Sequence, residues 1–297
     1  MTGIIIKALS GFYYVKTETD VYTCKARGNF RKKGISPLVG DRVEFTPEND
    51  LTGTVEEILP RKTCLERPPV ANIEKLFILS SFDNPSPNTL IIDKMTVLAK
   101  HNGIEPIIVF NKSDLGDFSD YRKIYEKSGF KTFVISAVTG EGIEQLKNEL
   151  SASISAFTGN SGVGKSSLLN FLLGEEIIPT GAVSEKLGRG KHTTRHTEIY
   201  PLSFGGFVAD TPGFSSIEAG NDYSLKEHLA EYFEDFSEFS ENCQFSTCSH
   251  TKEKGCAVIE AVEKGEIQKS RHESYVQLFD ELKDLKEWQT KNKQRNI

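Results

Sequence analysis

The stretch Gly159-Asn160-Ser161-Gly162-Val163-Gly164-Lys165-Ser166 decides how this chain is read. It satisfies GxxxxGK[ST] in the context where that pattern has meaning. The run Ile154 to Thr158 predicts a buried strand before it, and Lys165 to Leu173 predicts a helix after it. Glycines let the backbone close around phosphate oxygens, and the helix start presents free amides. Lys165 reaches the terminal phosphates, Ser166 offers a hydroxyl to Mg²⁺, and Ser167 follows in the first turn. Strand, loop and helix together predict an α/β nucleotide-binding domain rather than a plain glycine turn.

The base-reading element lies upstream of this loop. Asn111-Lys112-Ser113-Asp114 follows directly on the apolar strand Ile104 to Phe110. In this NKxD pattern the Asp carboxylate accepts two hydrogen bonds, from guanine N1–H and the 2-amino group, and adenine lacks both donors. Asn111 braces the loop, and the aliphatic stem of Lys112 covers the base face. Ser136-Ala137 closes another strand, Thr132 to Ile135, at a place where a backbone amide meets guanine O6 in GTPases.

The phosphate-sensing elements lie downstream. Phe207 to Ala209 predicts a strand running into Asp210-Thr211-Pro212-Gly213, a DxxG element in which Asp210 would hold Mg²⁺ through water and the Gly213 amide would meet the γ-phosphate. The polar segment Glu175 to Glu198 reads as a switch whose Thr193 or Thr194 would cap Mg²⁺; the sequence does not choose between them. Catalysis is then positioning and charge stabilisation by Lys165 and the switch threonine. Phe214 stands where many GTPases carry a water-orienting Gln, so slow intrinsic hydrolysis is expected. His192 is read either as the residue that orients water or as an exposed loop residue.

Ordinary GTPases run P-loop, switch Thr, DxxG, NKxD, SA, whereas this chain runs NKxD, SA, P-loop, switch Thr, DxxG. The domain therefore reads as circularly permuted, which preserves a site built from spatial neighbours.

Three pieces follow: 1–66, 67–220 and 221–297. The first has five short β-rich runs, Ile4 to Leu9, Phe12 to Lys16, Val21 to Lys25, Arg42 to Thr46 and Gly53 to Ile58, and predicts an all-β barrel, either an oligonucleotide/oligosaccharide-binding (OB) barrel or another small one. Its ten Lys/Arg against nine Asp/Glu leave positive charge only locally, where Lys25, Arg27, Arg31, Lys32 and Lys33 surround Phe30. That cluster is read as an RNA-facing loop or as a solvated charge run.

The third piece is acidic and helical, with a last helix expected over Ser274 to Thr290. Cys243-x4-Cys248-x-His250-x5-Cys256 offers three thiolates and one imidazole, the ligand set of a closed, structural zinc site. The net charge of −6 argues against indiscriminate nucleic-acid coating. No apolar run reaches the roughly 18 residues of a membrane span, and the first residues do not resemble a secretory signal, so a cytoplasmic monomer without a membrane partner is expected.

With these motifs in order, the chain resembles the bacterial ribosome small subunit-dependent GTPase A (RsgA) family over its whole length. The stretches Gly190-Lys191-His192-Thr193-Thr194 and Asp210-Thr211-Pro212-Gly213-Phe214 also look like that family's switches. The resemblance implies an OB barrel, a permuted P-loop GTPase domain and a zinc module. It also implies binding to the small ribosomal subunit and 16S rRNA through the outer domains. GTP hydrolysis to GDP and phosphate, stimulated by the subunit, would accompany late maturation and release, with inhibition by guanosine tetraphosphate and pentaphosphate. Two other readings remain: an RNA-binding module that nucleotide only rigidifies, and an ATP-dependent kinase or ATPase.

Overall fold

A computed structural model of the chain describes residues 1–28, 30, 34–66, 69–83, 85–174, 197–210 and 223–283. Five strands open it: β1 (Thr2–Leu9), β2 (Phe12–Lys16), β3 (Val21–Ala26), β4 (Arg42–Pro47) and β5 (Thr52–Ile58). They pair in the order β1-β2-β3-β5-β4 and close through β1–β4, with β3 and β5 parallel and the other pairs antiparallel. A five-stranded barrel of this order is the OB fold, which removes the alternative small barrels. Alternation explains its core: Ile5, Val15, Cys24, Val43, Phe45 and Val55 point inward and are buried. A short hairpin, β6 (Cys64–Glu66) with β7 (Pro69–Ala71), leads out of the barrel. Cys64 lies on this hairpin rather than in the barrel, and its exposed thiol accepts from Arg61 at 3.6 Å.

The central sheet continues with β8 (Lys75–Ser81), β9 (Glu105–Asn111), β10 (Lys131–Ile135), β11 (Ile154–Gly159), β12 (Glu198–Pro201) and β13 (Phe207–Asp210). Their order is β10-β9-β8-β11-β13-β12, all parallel except β12. Both faces are covered, so the inner strands are apolar without interruption. Leu76, Ile78, Ile108 and Phe110 face helices α1 (Thr89–His101) and α2 (Ser119–Lys127), while Phe77, Leu79, Ile107 and Val109 face α3 (Ile143–Leu150) and α4 (Lys165–Leu173). The observed elements of the barrel and the central domain match the expected ones to within two residues at each end. Three strands are additions: the two three-residue hairpin strands β6 and β7, and β12, which pairs with β13 on one side and with barrel strand β1 on the other.

The last module holds α5 (Tyr223–Glu227), two 3₁₀ turns at Leu229–Tyr232 and Glu234–Phe236, α6 (Ser237–Ser240), α7 (Ala257–Glu263) and α8 (Lys269–Leu282). Helix α8 starts five residues before the expected Ser274, with Gln268 rather than Ser, Thr or Asp at its cap; 284–297 lie outside the described residues. No helix among the described residues is long and apolar enough to cross a membrane.

One buried charge cluster joins this module to the central domain. Arg271 on α8 is fully buried and donates to Asp93 on α1 at 2.7 Å and to Asp235 at 2.8 Å. Its guanidinium lies 4.5 Å from the Phe233 ring centre and 5.1 Å from that of Phe130. Burial opposes the guanidinium's charge, but Asp93 and Asp235 more than offset it and raise its pKa further. Removing Asp93 leaves the buried guanidinium with Asp235 as its one remaining carboxylate and an N–H without its acceptor. Asp93→Ala is therefore expected to lower unfolding free energy by about 3 to 5 kcal/mol in urea titrations followed by circular dichroism. Lys94→Ala, which removes a partly exposed pair with Glu281, should cost less than about 1 kcal/mol.

Candidate functional site

The nucleotide loops sit at the carboxyl ends of parallel strands β9, β10 and β11, the crevice where open α/β sheets take ligands. The P-loop runs from the end of β11 into α4, whose Leu168, Leu169 and Leu172 anchor it in the core. Lys165 is partly buried and donates from Nζ to the Gly159 carbonyl at 2.6 Å and the Asn160 carbonyl at 2.7 Å, so its ammonium already lies inside the loop's curve. Burial lowers its pKa. Ser166 follows in the first turn, half-buried.

Asn111 is the joint of the site. It ends β9 with only 2% of its surface exposed. Its Nδ2 donates to the Val163 carbonyl of the P-loop at 2.9 Å, and its Oδ1 accepts from the Ala137 amide at 3.2 Å. Three loops separated in sequence are thus held by one side chain. Gly164, with φ of +92°, must lack a Cβ here because one would collide with Asn111 Nδ2. Lys112, also at positive φ, turns the chain away from the strand so that Asp114 emerges exposed. The Ser136 hydroxyl, fully buried, donates to Asp114 Oδ1 at 2.6 Å and accepts from the amides of Val138 and Thr139. Ser113 in turn donates to Glu141 at 2.8 Å, closing the base-reading loop onto the loop after β10. The structure therefore brings Asn111, Lys112, Ser113, Asp114, Ser136 and Ala137 together with the P-loop residues.

The backbone of Asp210 ends β13, beside the strand that carries the P-loop. His192, Thr193, Thr194 and Gly213 lie outside the described residues. In the barrel, Phe30 is 8% exposed and belongs to the hydrophobic core. Its ring is therefore not presented to RNA, which corrects its place among the candidate RNA-contacting residues. Arg27 is paired with Glu56 at 2.7 Å, and Lys25 is exposed with its ammonium 5.4 Å from the Phe12 ring centre. Arg31, Lys32 and Lys33 lie outside the described residues.

At the far end, Cys243, Cys248, His250 and Cys256 bring their ligand atoms within 4.8 Å of one another. Cys243 Sγ is 3.8 Å from Cys256 Sγ, and both lie 3.5 Å from His250 Nδ1. A tetrahedron with metal–sulfur bonds of about 2.3 Å and a metal–nitrogen bond of about 2.0 Å has edges of about 3.8 and 3.5 Å, so the group fits a metal ion bound through Nδ1. Burial, then the neighbouring sulfurs, push the Cys248 thiol up to about 12, and a cation among the sulfurs is what would hold them as thiolates. Burial lowers His250, which keeps its ring neutral and able to ligate. The second layer is built from α8: His272 Nε2 donates to the His250 carbonyl at 2.7 Å and Tyr275 donates to the Ser249 carbonyl at 2.8 Å.

This arrangement agrees with comparisons to known proteins. A family model described as RsgA GTPase matches residues 58–220, and one described as RsgA N-terminal domain matches 2–55. The chain belongs to the RsgA GTPase family. A relative from Caldanaerobacter subterraneus subsp. tengcongensis, called small ribosomal subunit biogenesis GTPase RsgA, is 47% identical over 98% of both chains. One of the same name from Geobacillus sp. is also 47% identical, over 96% of this chain and 98% of its own. Among solved structures, YjeQ from Thermotoga maritima has a TM-score of 0.80 at 39% identity, covering 96% of this chain and 99% of its own. YloQ, titled a circularly permuted GTPase, has a TM-score of 0.80 at 37% identity and covers 96% of both chains. A broader model described as 50S ribosome-binding GTPase matches 154–293, beginning at β11. This RsgA-family chain is thus a GTP-hydrolysing enzyme with the permuted order that its motifs indicate.

The Ser136 contact fixes the Asp114 carboxylate, the group expected to read guanine. A hydrogen bond to a charged group contributes about 1.5 to 3 kcal/mol. Ser136→Ala is expected to weaken GDP binding at least about tenfold and to narrow the preference for GDP over ADP in competition titrations, with a modest drop in melting temperature because the Val138 and Thr139 amides also lose their acceptor.

Proposed function

We propose that this enzyme binds the small ribosomal subunit through its outer modules, is activated by it, and leaves on hydrolysing GTP during late subunit maturation. The observation that carries this reading is the Asn111 joint, which assembles a guanine-selective P-loop site from a permuted sequence and so supports kinship in mechanism with the relatives named above. The working division is 1–66 for RNA contact, 67–220 for GTP and 221–297 for a zinc-stabilised module.

Lys165, Ser166, Ser167 and the loop glycines would hold the phosphates, and Asp114 the base. Ser166, Asp210 through water, and Thr193 or Thr194 would hold Mg²⁺, which when bound neutralises charge on the β- and γ-phosphates. The chain's own work is to orient the γ-phosphate and exclude competing geometries, with His192 assigned to the attacking water. Phe214 offers no group to orient water, so turnover stays slow until the subunit completes the site. Guanosine tetraphosphate and pentaphosphate would compete for the same base and phosphate contacts.

In the barrel, Lys25 and the run Arg31 to Lys33 are assigned to 16S rRNA. The thiolate-rich ligand set selects zinc over harder cations. The protein acts in the cytoplasm as a monomer.

The deciding measurement is phosphate release from GTP at fixed salt, alone and with purified small subunits, large subunits or whole ribosomes. Strong acceleration by small subunits and none by large ones is expected. Equal acceleration by large subunits would move the partner to the one named in the broader family model. Chelation is a second test. Removing zinc should unfold chiefly the last module, seen as loss of helical circular dichroism with nucleotide binding retained, and an unchanged melting profile would refute a structural metal.

A further inference from the structure

The barrel and the central domain share one sheet, and the strand that joins them touches the end of the phosphate-sensing strand. β13 pairs with β11 at three positions, the last being Ala209 opposite Ala156. Asp210 lies one residue beyond, and its register partner among the described strands is Glu198 of β12. Glu198 has a second partner across the sheet, Lys7 of barrel strand β1, and this is the register pair that joins the two domains' strands. Lys7 Nζ donates to Glu198 Oε2 at 3.0 Å, with both side chains partly exposed. A row therefore runs from the barrel through Glu198 to Asp210.

Strand β1 is shaped for this contact. Its register with β2 slips between Ile5 and Lys7, a bulge that bends a strand and re-aims the side chains beyond it. The barrel is also fixed from its other side. Asn72, buried at the exit of the hairpin, donates to the Gly40 carbonyl at 2.9 Å, and the Glu74 amide donates to the Ile154 carbonyl at 2.8 Å. A barrel mounted at these two places holds β12 as part of its own frame.

We propose that Lys7 is a positioning residue for the Mg²⁺ and γ-phosphate site: by holding Glu198 it fixes β12, and β12 fixes the backbone at Asp210. The inference rests on the assignment of Asp210 to Mg²⁺ above. It gives the RNA-facing barrel a direct route to the chemistry, because whatever displaces β1 displaces the one strand that pairs with Asp210 among the described residues.

The test measures binding of a non-hydrolysable GTP analogue to the full chain across a Mg²⁺ titration, and again in EDTA. Lys7→Met is expected to raise the Mg²⁺ concentration at half-effect about three- to fivefold, the scale of a partly exposed ion pair. Affinity in EDTA and the melting temperature should not change. Lys7→Arg should restore the wild-type value, as should the exchange of Lys7→Glu with Glu198→Lys. Glu198→Gln probes the same contact from the other strand should Lys7→Met fold poorly, and Lys16→Met controls for loss of barrel charge. An unchanged Mg²⁺ requirement in Lys7→Met and Glu198→Gln, or equal losses with and without Mg²⁺, overturns the proposal. Asp210→Ala separates the two levels. If it keeps the wild-type Mg²⁺ requirement, the assignment of Asp210 fails and the Lys7 inference falls with it; if it shifts while Lys7→Met does not, only the link to the barrel falls.

Discussion

Everything in the nucleotide site depends on the two hydrogen bonds of the Asn111 side chain. A backbone carbonyl in the P-loop and a backbone amide after β10 would each lose a protein partner without it. At 2% exposure, Asn111 has little access to water as a substitute, so the cost of losing it is that of an unpaired buried group rather than of an ordinary hydrogen bond. The same constraint explains why permutation is tolerated. The site needs β9, β10 and β11 side by side with their carboxyl ends together, and sheet pairing supplies that whatever order the chain visits them. Gly164 marks how close the approach is, since no larger residue leaves room for the amide.

A second constraint holds the outer module in place. Arg271 sits between two aromatic rings and two carboxylates, one from α1 and one from the turn before α6. Such a cluster is weak evidence of net stability, the more so because Asp93 Oδ2 has no hydrogen-bond partner among the described residues, but it ties α8 to α1 and to the turn at Asp235 through one side chain. The helix that carries Arg271 also carries His272 and Tyr275, which hold the backbone of the metal loop. Metal binding and docking onto α1 are therefore properties of one helix, and loosening either loosens both.

Much of this was legible in the sequence because the signals are local. The P-loop, NKSD and the Cys₃His spacing each compress their chemistry into a few residues, and the inner strands are apolar runs of the right length. What escaped is non-local. β12 is four residues ending in Pro201, too short to show alternation, and it is a strand because neighbours pair with it on both sides. Arg271 and Asp93 lie 178 positions apart, and nothing near either announces the other. Phe30 shows the converse: its basic neighbours in sequence left an RNA-facing loop as one of two readings, while the barrel buries the ring.

The order of the chain gives these two attachments a common meaning. In an unpermuted GTPase the phosphate-sensing elements lie in mid-domain, and the rest of the domain follows them in sequence. Here the segment before β12 carries Thr193 and Thr194, assigned above to the switch, and the chain passes from Asp210 directly toward the module of the Cys₃His group. β12 is paired to the barrel, and the module beyond Asp210 is clamped to α1 through Arg271. The stretch assigned above to γ-phosphate sensing thus adjoins a strand paired with the barrel and a module locked onto the domain. Because β12 answers to the barrel and the last module to α1, the permuted order places the segment assigned above to phosphate sensing between attachments to both outer modules.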